Sequence, residues 1–347
     1  MGSDGLHLRL AGGAILIARR ALGDTGLEVS ELGLGGAALG NLYAPVEDED
    51  ARLTVAAALE GGVNFVDVAP FYGMGLAERR VGDALRMRET VISTKVGRLL
   101  DPLSSAPGMV ERHGFVTTLP FEPRFDYTRE GILRSHEDSL QRLGLGRIDL
   151  LLIHDIGSST QGAEAARRMA ELTEGGGLDA LAMLKRQGII AGWGLGVNEI
   201  AVCLEILNHA RPDAILLAGR YSLLDQEALE RLFPAAAARS VPIIVGGPFN
   251  SGLLAGTPRF DYAPPPAAIR DKAKRLDAIC THHGVPLPAA ALQFILAHPQ
   301  VATTVPGARS ADEVRANIGF LDVAIPSALW HDLADNGLVS ADAPLPA

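Results

Sequence analysis

The stretch VNFVDVAPFYG, residues 63–73, decides the fold. Its first five residues are mostly apolar and end in a carboxylate, Asp67, which is the pattern of a buried strand with a polar group at its carboxyl end. Pro70 and Gly73 then interrupt regular structure, and Tyr72 lies in the loop between them. A buried strand followed by a polar loop is typical of parallel α/β proteins, whose functional groups follow the strands.

The same pattern extends in both directions along the chain. Short runs rich in Val, Ile and Leu alternate with longer Ala-rich segments that carry charge at helical spacing. The predicted strands are residues 32–36, 63–67, 90–95, 148–154, 190–197, 214–217, 241–245 and 301–305. The predicted helices are residues 47–60, 77–87, 129–143, 178–187, 199–209, 226–238, 266–283 and 311–320. Eight repeats favour an α/β fold of the (β/α)8 TIM-barrel class, built as a single domain.

We predict that the barrel occupies residues 19–335, between an N-terminal extension at residues 1–18 and a C-terminal tail at residues 336–347. The extension contains an apolar run at residues 10–18, but glycines interrupt it and arginines close it. These features favour a leading hairpin or a loosely ordered extension over a signal peptide.

The composition of the 347 residues predicts a soluble protein that binds neither nucleic acid nor membrane. Lys and Arg total 31 and Asp and Glu total 41, so the formal net charge is −10, which argues against a nucleic-acid groove. No segment reaches the roughly 18–20 unbroken apolar residues of a membrane span. Cys203 and Cys280 lie far apart in predicted helices, which argues against a disulfide framework and fits a reducing, cytoplasmic compartment. The oligomeric state stays open.

Two connections are too long to be simple turns. Residues 97–127 follow the third predicted strand and contain four prolines. Long loops on the carboxyl face of a barrel are usually lids or binding loops, so we predict that this connection is the substrate loop. A second irregular stretch, residues 155–177, follows the fourth predicted strand and ends in a glycine run suited to a hinge.

The glycine cluster at residues 33–38, GLGGAA, matches the G-x-G-x-x-A pattern of a dinucleotide-binding turn. Such a turn must open a helix, but Gly40 and Pro45 lie where that helix would run. We therefore predict a tight glycine turn at the mouth of a barrel strand.

Polar side chains close three of the predicted strands. Asp67, Lys95 and His154 each stand at the end of an apolar run, and Tyr72 follows the first of them in its loop. Each residue has an ordinary structural interpretation: a helix cap, a surface charge, a core histidine or a packed aromatic. Because the carboxyl ends of barrel strands meet at one face, the set together predicts a catalytic site there.

The runs VDVAPFYG, ISTKVG, LLIHD and VPGARSADEVRANI resemble the aldo-keto reductases, and with their flanks they span residues 19–320. The resemblance implies a (β/α)8 barrel that binds a nicotinamide cofactor without a dinucleotide-binding turn. Its catalytic tetrad matches Asp67, Tyr72, Lys95 and His154. The runs LLAGRYSLLDQ, GGPFNSGLLAG and FDYTREGILRSHEDSL are similar to the branch of aldose 1-dehydrogenases that act on L-fucose-like sugars, and pyridoxal 4-dehydrogenases are similar to the same branch.

The resemblance also implies a role for each member of the tetrad. Tyr72 is the acid/base that moves a proton on the substrate oxygen during hydride transfer. The Lys95 ammonium lowers the pKa of Tyr72, and Asp67 holds the lysine in place and charged. His154 forms a hydrogen bond with the reacting oxygen.

Further positions match cofactor contacts of the family. The predicted contacts are Asn198 to the nicotinamide carboxamide, Ser251, Gly252 and Leu254 to the pyrophosphate through backbone N–H groups, Arg309 to an anion and Asn317 to the adenine. Asn198 has an equally good interpretation as a helix cap. The chain also departs from the family, because Ala218 and Gly246 stand where a glutamine and an aromatic residue often hold the nicotinamide ring.

The cofactor expected from these positions is NAD in preference to NADP. Gly307 and Glu313 stand where the family has cations for the extra phosphate of NADP, and a carboxylate there repels it. Arg309 is the remaining cation nearby.

We expect the enzyme to oxidise an aldose such as L-fucose at C1 to the lactone. The predicted substrate contacts are Phe71, His113, Phe249 and Asn250, and the substrate loop adds Arg112, Phe115 and Tyr127. Three alternatives stay open: a pyridoxal 4-dehydrogenase on the same barrel, a cofactor-binding regulatory subunit without turnover, and a metal hydrolase. The last is the weakest, because His154 and its neighbour Asp155 could bind a metal but no H-x-H pair appears, and we expect no metal.

Overall fold

The computed structural model describes residues 17–86, 88–105, 108 and 110–346. Most of the predicted N-terminal extension, residues 1–16, lies outside the described residues. The strands are β1 (Arg19–Ala21), β2 (Glu28–Ser30), β3 (Leu34–Gly35), β4 (Phe65–Asp67), β5 (Val91–Val96), β6 (Arg98–Pro102), β7 (Glu111–Arg112), β8 (Phe115–Val116), β9 (Phe121–Phe125), β10 (Leu150–His154), β11 (Gly192–Val197), β12 (Ala214–Ala218), β13 (Ile243–Gly246) and β14 (Val301–Val305).

The α-helices form the outer layer. They are α1 (Asp48–Glu60), α2 (Leu76–Leu85), α3 (Arg129–Leu143), α4 (Ser158–Gln161), α5 (Ala165–Thr173), α6 (Gly177–Arg186), α7 (Ile200–His209), α8 (Ala228–Ala237), α9 (Ala267–His282), α10 (Leu287–Leu296), α11 (Ala311–Leu321) and α12 (Ser327–Asp335). Every predicted strand and helix is present, with its ends shifted by a few residues at most. Among the described residues, no helix is both long enough and apolar enough to cross a membrane.

Eight strands form one parallel sheet in the order β14-β13-β12-β11-β10-β5-β4-β3. Parallel bridges from Leu32 to Thr304 and from Gly35 to Gly307 join its two edges, so the sheet closes into a barrel. The (β/α)8 fold is therefore confirmed. The β1–β2 hairpin precedes the barrel and contributes apolar side chains to its interior cluster.

The glycine cluster before α1 closes this barrel instead of opening a nucleotide-binding helix. A Cβ atom on Gly33 would lie 2.8 Å from Val305 Cγ1, and one on Gly35 would lie 2.9 Å from the Val305 carbonyl oxygen. Only residues without a side chain allow the first and last strands to approach this closely. A short 3-10 helix, Ala38–Gly40, follows, as the predicted tight turn requires.

Side-chain alternation on β10 shows how the barrel places its functional groups. Leu150 and Leu152 belong to the apolar cluster inside the barrel. Leu151 and Ile153 belong to the larger cluster between the strands and the helices. Because successive side chains of a strand point to opposite faces, His154 continues the inward series at the carboxyl end.

Two features of the outer layer differ from the prediction. The stretch predicted to be irregular after the fourth strand contains α4 and α5, and α10 and α12 were not predicted at all. In α10 the apolar residues surround the helix and eight of its ten residues are buried, so no polar face marks the helical period.

The long connection after β5 is also more regular than predicted. Strand β6 pairs with β9, and β7 pairs with β8, both in antiparallel fashion. The β7–β8 hairpin contacts the loop after β3 through a bridge between Leu42 and Phe115 and a 2.9 Å hydrogen bond from Tyr43 N to the Gly114 carbonyl. This hairpin therefore stands over the carboxyl end of the barrel, where the substrate loop was predicted.

Candidate active site

A buried ion pair forms the closed end of the site. Lys95 is 1% exposed, and its Nζ donates hydrogen bonds to Asp67 Oδ1 at 2.5 Å and to the Val68 carbonyl at 2.9 Å. The Ser93 hydroxyl also donates to Asp67 Oδ1 at 2.5 Å. Buried charges are tolerated when they are paired and hydrogen-bonded, as both are here. The structure thus brings the predicted aspartate and lysine together.

Strand β11 makes room for this lysine. A Cβ atom on Gly196 would lie 2.7 Å from Lys95 Cε and 2.9 Å from its Cδ. Gly192, Gly194 and Gly196 alternate along the strand, so one face of β11 carries no side chain. Gly196 was not among the site residues predicted from the sequence. Its position inside a strand was the available signal, because a glycine there indicates the close approach of another group.

Tyr72 is positioned by the contact between two loops. A Cβ atom on Gly40 would lie 2.6 Å from the Tyr72 carbonyl carbon, so the loop after β3 packs directly against the loop after β4. Lys95 Nζ lies 5.8 Å from the centre of the tyrosine ring, and the His154 ring centre lies 6.0 Å from it at an interplanar angle of 85°. The four predicted catalytic residues therefore converge on one site.

The predicted lowering of the Tyr72 pKa is wrong for the protein alone. Burial raises this pKa well above its ordinary value of 10, and the Asp67 carboxylate raises it further. The Lys95 ammonium is paired with Asp67, so its charge offsets this rise only in part. Tyr72 is consequently a protonated phenol at neutral pH.

His154 is a neutral imidazole. Burial lowers its pKa well below the ordinary value of 6.5, and the cations of Arg98 and Lys95 lower it further. The side chain is 6% exposed, and its Nδ1 atom is buried with no hydrogen-bond partner in the described part of the chain. The Tyr127 hydroxyl donates a 2.6 Å hydrogen bond to the His154 carbonyl, which fixes the backbone at the end of β10.

A second buried ion pair, which the sequence analysis missed, lies beside the histidine. Arg98 is 4% exposed and pairs with Asp155, whose Oδ2 is 3.5 Å from His154 Nε2. The guanidinium carbon of Arg98 lies 4.1 Å from the centre of the Phe71 ring. Burial raises the pKa of Asp155, while Arg98 and Lys95 oppose that rise. The available signal was a charged residue two positions after the end of β5 and another directly after β10.

These groups open onto a cavity of about 410 Å³. Tyr72, Lys95 and His154 line it, and Asp67 lies behind the lysine. Its other walls are rich in aromatic rings, which are those of Tyr43, Phe71, His113, Phe115 and Tyr262. The structure thus places two of the predicted substrate contacts, Phe71 and His113, at this cavity.

The other predicted substrate contacts lie elsewhere, and their prediction is corrected. Asn250 is 2% exposed and stabilises a turn: its amide donates to the Gly219 carbonyl at 3.1 Å and its carbonyl accepts from the Ser222 hydroxyl. Phe249 packs against the outer apolar cluster. Both follow β13 in a tight turn that directs their side chains into the protein.

Two residues of the long connection also hold structure instead of lining the cavity. Arg112 donates to the Phe121 carbonyl at 2.7 Å and pairs with Glu122, which ties β7 to β9. Tyr127 is fully buried under His154. Their roles are therefore to position the hairpin and the histidine.

The predicted cofactor loop after β13 is partly engaged in its own turn. The backbone N–H groups of Gly252 and Leu254 both donate to the Phe249 carbonyl, at 3.0 and 3.2 Å. These two N–H groups are thus donors within the turn, and their contact with a pyrophosphate stays a prediction. The Ser251 hydroxyl accepts a 3.0 Å hydrogen bond from Tyr262 N.

Asn198 lines the cavity next to Tyr262. Its Nδ2 atom lies 3.4 Å from the Ala218 carbonyl oxygen and 3.4 Å from the Tyr262 hydroxyl. The side chain caps no helix, because Glu199 is the N-cap residue of α7. Asn198 is therefore available to contact a ligand.

Two arginines and the buried Tyr43 hydroxyl fit a cofactor that carries two negative charges. The Arg259 guanidinium carbon lies 4.4 Å from the Tyr43 ring centre, and no ion pair engages Arg259 or Arg309 within the described ranges. Burial raises the pKa of Tyr43, while the neighbouring Ser251 side chain and then the charges of Arg259 and Arg309 lower it. The Tyr43 hydroxyl is buried, and Ser251 is near it but does not form a hydrogen bond of good geometry with it in the described part of the chain. Two guanidinium groups outside any ion pair of the described residues, beside this buried hydroxyl, suit a pyrophosphate.

The remaining predicted contact, Asn317, lies on α11 after β14 and is 8% exposed. It is outside the cavity lining, on the side of the barrel that carries Arg309. Within the described residues, no group of three or more His, Cys, Asp or Glu could hold a metal ion.

Comparison with known proteins places this site in context. A family model described as the aldo/keto reductase family matches residues 31–335. Pyridoxal 4-dehydrogenase from Microbacterium luteolum is 44% identical over 335 residues, which cover 93% of this chain and 98% of that protein. D-threo-aldose 1-dehydrogenase from a Pseudomonas species is 35% identical over 329 residues, which cover 92% of this chain and 97% of that protein.

A solved structure supports the same relationship. The holo form of aldo-keto reductase AKR11C1 from Bacillus halodurans superposes with a TM-score of 0.73 at 29% sequence identity. The match covers 94% of this chain and 97% of that one, so it extends over nearly the whole length of both.

Proposed function

This chain belongs to the aldo/keto reductase family, and we propose that it oxidises the cyclic hemiacetal of an aldehyde to a lactone with NAD, with pyridoxal as its first substrate. The main support for this proposal is the cavity with aromatic walls that Tyr72, Lys95 and His154 line. The chain is also 44% identical to a pyridoxal 4-dehydrogenase. Membership of the family identifies the protein as an oxidoreductase. We propose the substrate and the preference for NAD.

The residues around the cavity fit a nicotinamide cofactor. When bound, the cofactor accepts the hydride that leaves the substrate carbon. Asn198 would hold the nicotinamide carboxamide, and Arg259 and Arg309 would pair with the pyrophosphate charge. Tyr262 adds an aromatic ring on the same wall of the cavity, where β12 and β13 end in the small residues Ala218 and Gly246.

The protein's own groups move the proton. His154 is neutral, so its Nε2 can donate a hydrogen bond to the reacting oxygen without carrying charge into the site. Tyr72 accepts the hydroxyl proton during oxidation and donates it in the reverse direction. Lys95, held by Asp67, lies on the tyrosine face and stabilises the phenolate that oxidation requires.

The chemistry of pyridoxal suits both the reaction and the cavity. Its aldehyde and neighbouring hydroxymethyl group close into a hemiacetal, so removal of a hydride and a proton gives a lactone, as it does for a cyclic aldose. A flat pyridine ring stacks on aromatic walls, and the Phe71 and Phe115 rings meet edge to face at 5.5 Å. An aldose such as L-fucose is the second candidate, which the 35% identical aldose 1-dehydrogenase favours.

A substrate panel tests the proposal. We would measure catalytic efficiency on pyridoxal, L-fucose, D-arabinose and a straight-chain alcohol with NAD and with NADP, following the absorbance of the reduced nicotinamide. The expected order is pyridoxal first, then the aldoses, then the alcohol, with lactone identified by mass spectrometry. A lead for L-fucose assigns the chain to the aldose reaction, and cofactor binding without turnover on any substrate supports a regulatory subunit.

A further inference from the structure

The two nitrogens of the His154 ring lie in very different surroundings. Nδ1 is buried with no hydrogen-bond partner among the described residues, whereas Nε2 lies 3.5 Å from Asp155 Oδ2, and both residues line the cavity. A neutral imidazole carries its single proton on one of these two atoms. The surroundings therefore decide which nitrogen can donate to a substrate.

Both sides of the ring favour the same tautomer. A carboxylate beside Nε2 attracts an N–H group there and repels a lone pair. On the other side, a proton on Nδ1 would create a buried N–H donor without an acceptor, and such orphaned donors are rare in proteins. A buried lone pair on Nδ1 is the lesser penalty.

We propose that Asp155 is a positioning residue that keeps the proton of the neutral His154 imidazole on Nε2, ready to donate to the reacting oxygen of the substrate. The consequence for catalysis rests on the role of His154 in the proposed function. The preference between tautomers does not, since it belongs to the protein without substrate.

The structure holds Asp155 firmly enough for this task. Its φ angle is +42°, an unusual value for a residue with a side chain, and the surrounding contacts fix it there. Asp155 N donates to the Gly196 carbonyl at 3.0 Å, and the Asp155 carbonyl accepts from Gln161 Nε2 at 2.9 Å. Burial raises the pKa of Asp155, and the charge of its partner Arg98 opposes that rise and favours the carboxylate.

The test compares the wild-type protein with Asp155→Asn. Asparagine tolerates positive φ angles as aspartate does, so the substitution removes the charge and keeps the backbone. With histidine labelled by ¹⁵N and His154 assigned through a His154→Gln variant, the wild-type spectrum should show a protonated Nε2 and an unprotonated Nδ1. In Asp155→Asn both resonances should move toward a mixture of tautomers. With pyridoxal, kcat should fall about a hundredfold while KM stays within about threefold, since a wrong tautomer removes a donor needed in the transition state.

The matched control is Asp213→Asn at the other end of the barrel, where the buried Asp213 carboxylate pairs with Lys185, whose side chain is 36% exposed. This variant should lose stability and leave the His154 resonances in place. A wild-type proton on Nδ1, or unchanged resonances in Asp155→Asn, would overturn the proposal, and the wild-type spectrum decides even if the variant does not fold. If no hemiacetal is oxidised but the spectra behave as expected, the substrate assignment fails and the tautomer inference stands.

Discussion

The closed end of the cavity and its mouth are built in different ways. At the closed end, Asp67, Lys95 and His154 stand on barrel strands and are at most 5% exposed. At the mouth, the lining comes from loops, and Tyr262 is 56% exposed. Three residues of the lining loops, Tyr43, His113 and Tyr262, have positive φ angles, whereas at the closed end Asp155, next to His154, has one.

The closed end of the cavity carries the catalytic groups, and the mouth determines which substrates bind. Strand ends are held on both sides by the barrel ladder, and the loop that carries Tyr72 packs directly on Gly40, so the catalytic groups keep a fixed geometry. Loops can change in sequence and conformation without disturbing that geometry. We therefore expect substitutions at the closed end to lower kcat and substitutions at the mouth to change KM and selectivity.

Tyr72→Phe should have the largest effect. It removes the proton-transferring hydroxyl and keeps the ring, so kcat should fall by about 10³-fold or more while NAD affinity stays the same. The measurement is steady-state turnover together with cofactor titration by protein fluorescence. Turnover within a few-fold of the wild type would remove Tyr72 from the acid/base role.

Gly196→Ala tests whether the closed end tolerates any added atom. The new methyl group would overlap Lys95 Cε at 2.7 Å and displace the ammonium from Asp67 and Tyr72, so kcat should fall by about 10²-fold. Gly146→Ala is the control, because a methyl group there meets nothing within 4 Å. Equal activity of the two variants would show that the lysine position is not critical.

Because the pKa of Tyr72 is raised, we expect the oxidation rate to depend on pH and the reduction rate to be independent of pH over the same range. Oxidation needs the phenolate, so its kcat/KM should rise about tenfold per pH unit below the tyrosine pKa. Reduction needs the phenol and should stay constant over the same range. His154 stays neutral because its pKa is well below 6.5, so no inflection should appear near that pH. An oxidation rate that is flat from pH 6 to 9 would contradict the assignment.

The sequence predicted the closed end better than the mouth. Strand periodicity and the polar residues that end each run were enough to place Asp67, Lys95 and His154, because a barrel gathers all strand ends at one face. Gly196 was not predicted, because only the contact between β11 and the Lys95 side chain requires a glycine there. The order of residues along the chain does not show which strands contact each other.

The mouth depends on long-range contacts that local patterns do not show. Tyr262 reaches the cavity because a loop far along the chain returns to Asn198. The Asn250 side chain turns inward because hydrogen bonds to Gly219 and Ser222 satisfy it, so its polarity alone indicated a contact that does not exist. Tertiary packing decides the direction of such side chains.

His113→Ala should act on substrate binding and spare the chemistry. The ring lines the cavity, lies 5.7 Å from the Phe71 ring and is half exposed, so KM for pyridoxal should rise about fivefold with kcat nearly unchanged. Arg124→Ala is the control, since Arg124 pairs with Asp101 on the same connection but outside the cavity lining. If kcat falls by as large a factor as KM rises, the expectation that residues at the mouth affect substrate binding and not catalysis is wrong.

The smallest effect concerns the cofactor end of the mouth. Glu313 stands in the first turn of α11, where its backbone N–H donates to the Ser310 hydroxyl and its carboxylate accepts a 2.8 Å hydrogen bond from Arg309 N. Glu313→Gln keeps an acceptor for this cap and removes the charge that repels the NADP phosphate, so the NADP-to-NAD ratio of kcat/KM should rise about threefold. The control is Asp312→Asn, whose carboxylate is 93% exposed and paired with Arg315, and its ratio should stay unchanged. If the wild-type enzyme already uses NADP as efficiently as NAD, charge at Glu313 does not set the cofactor preference.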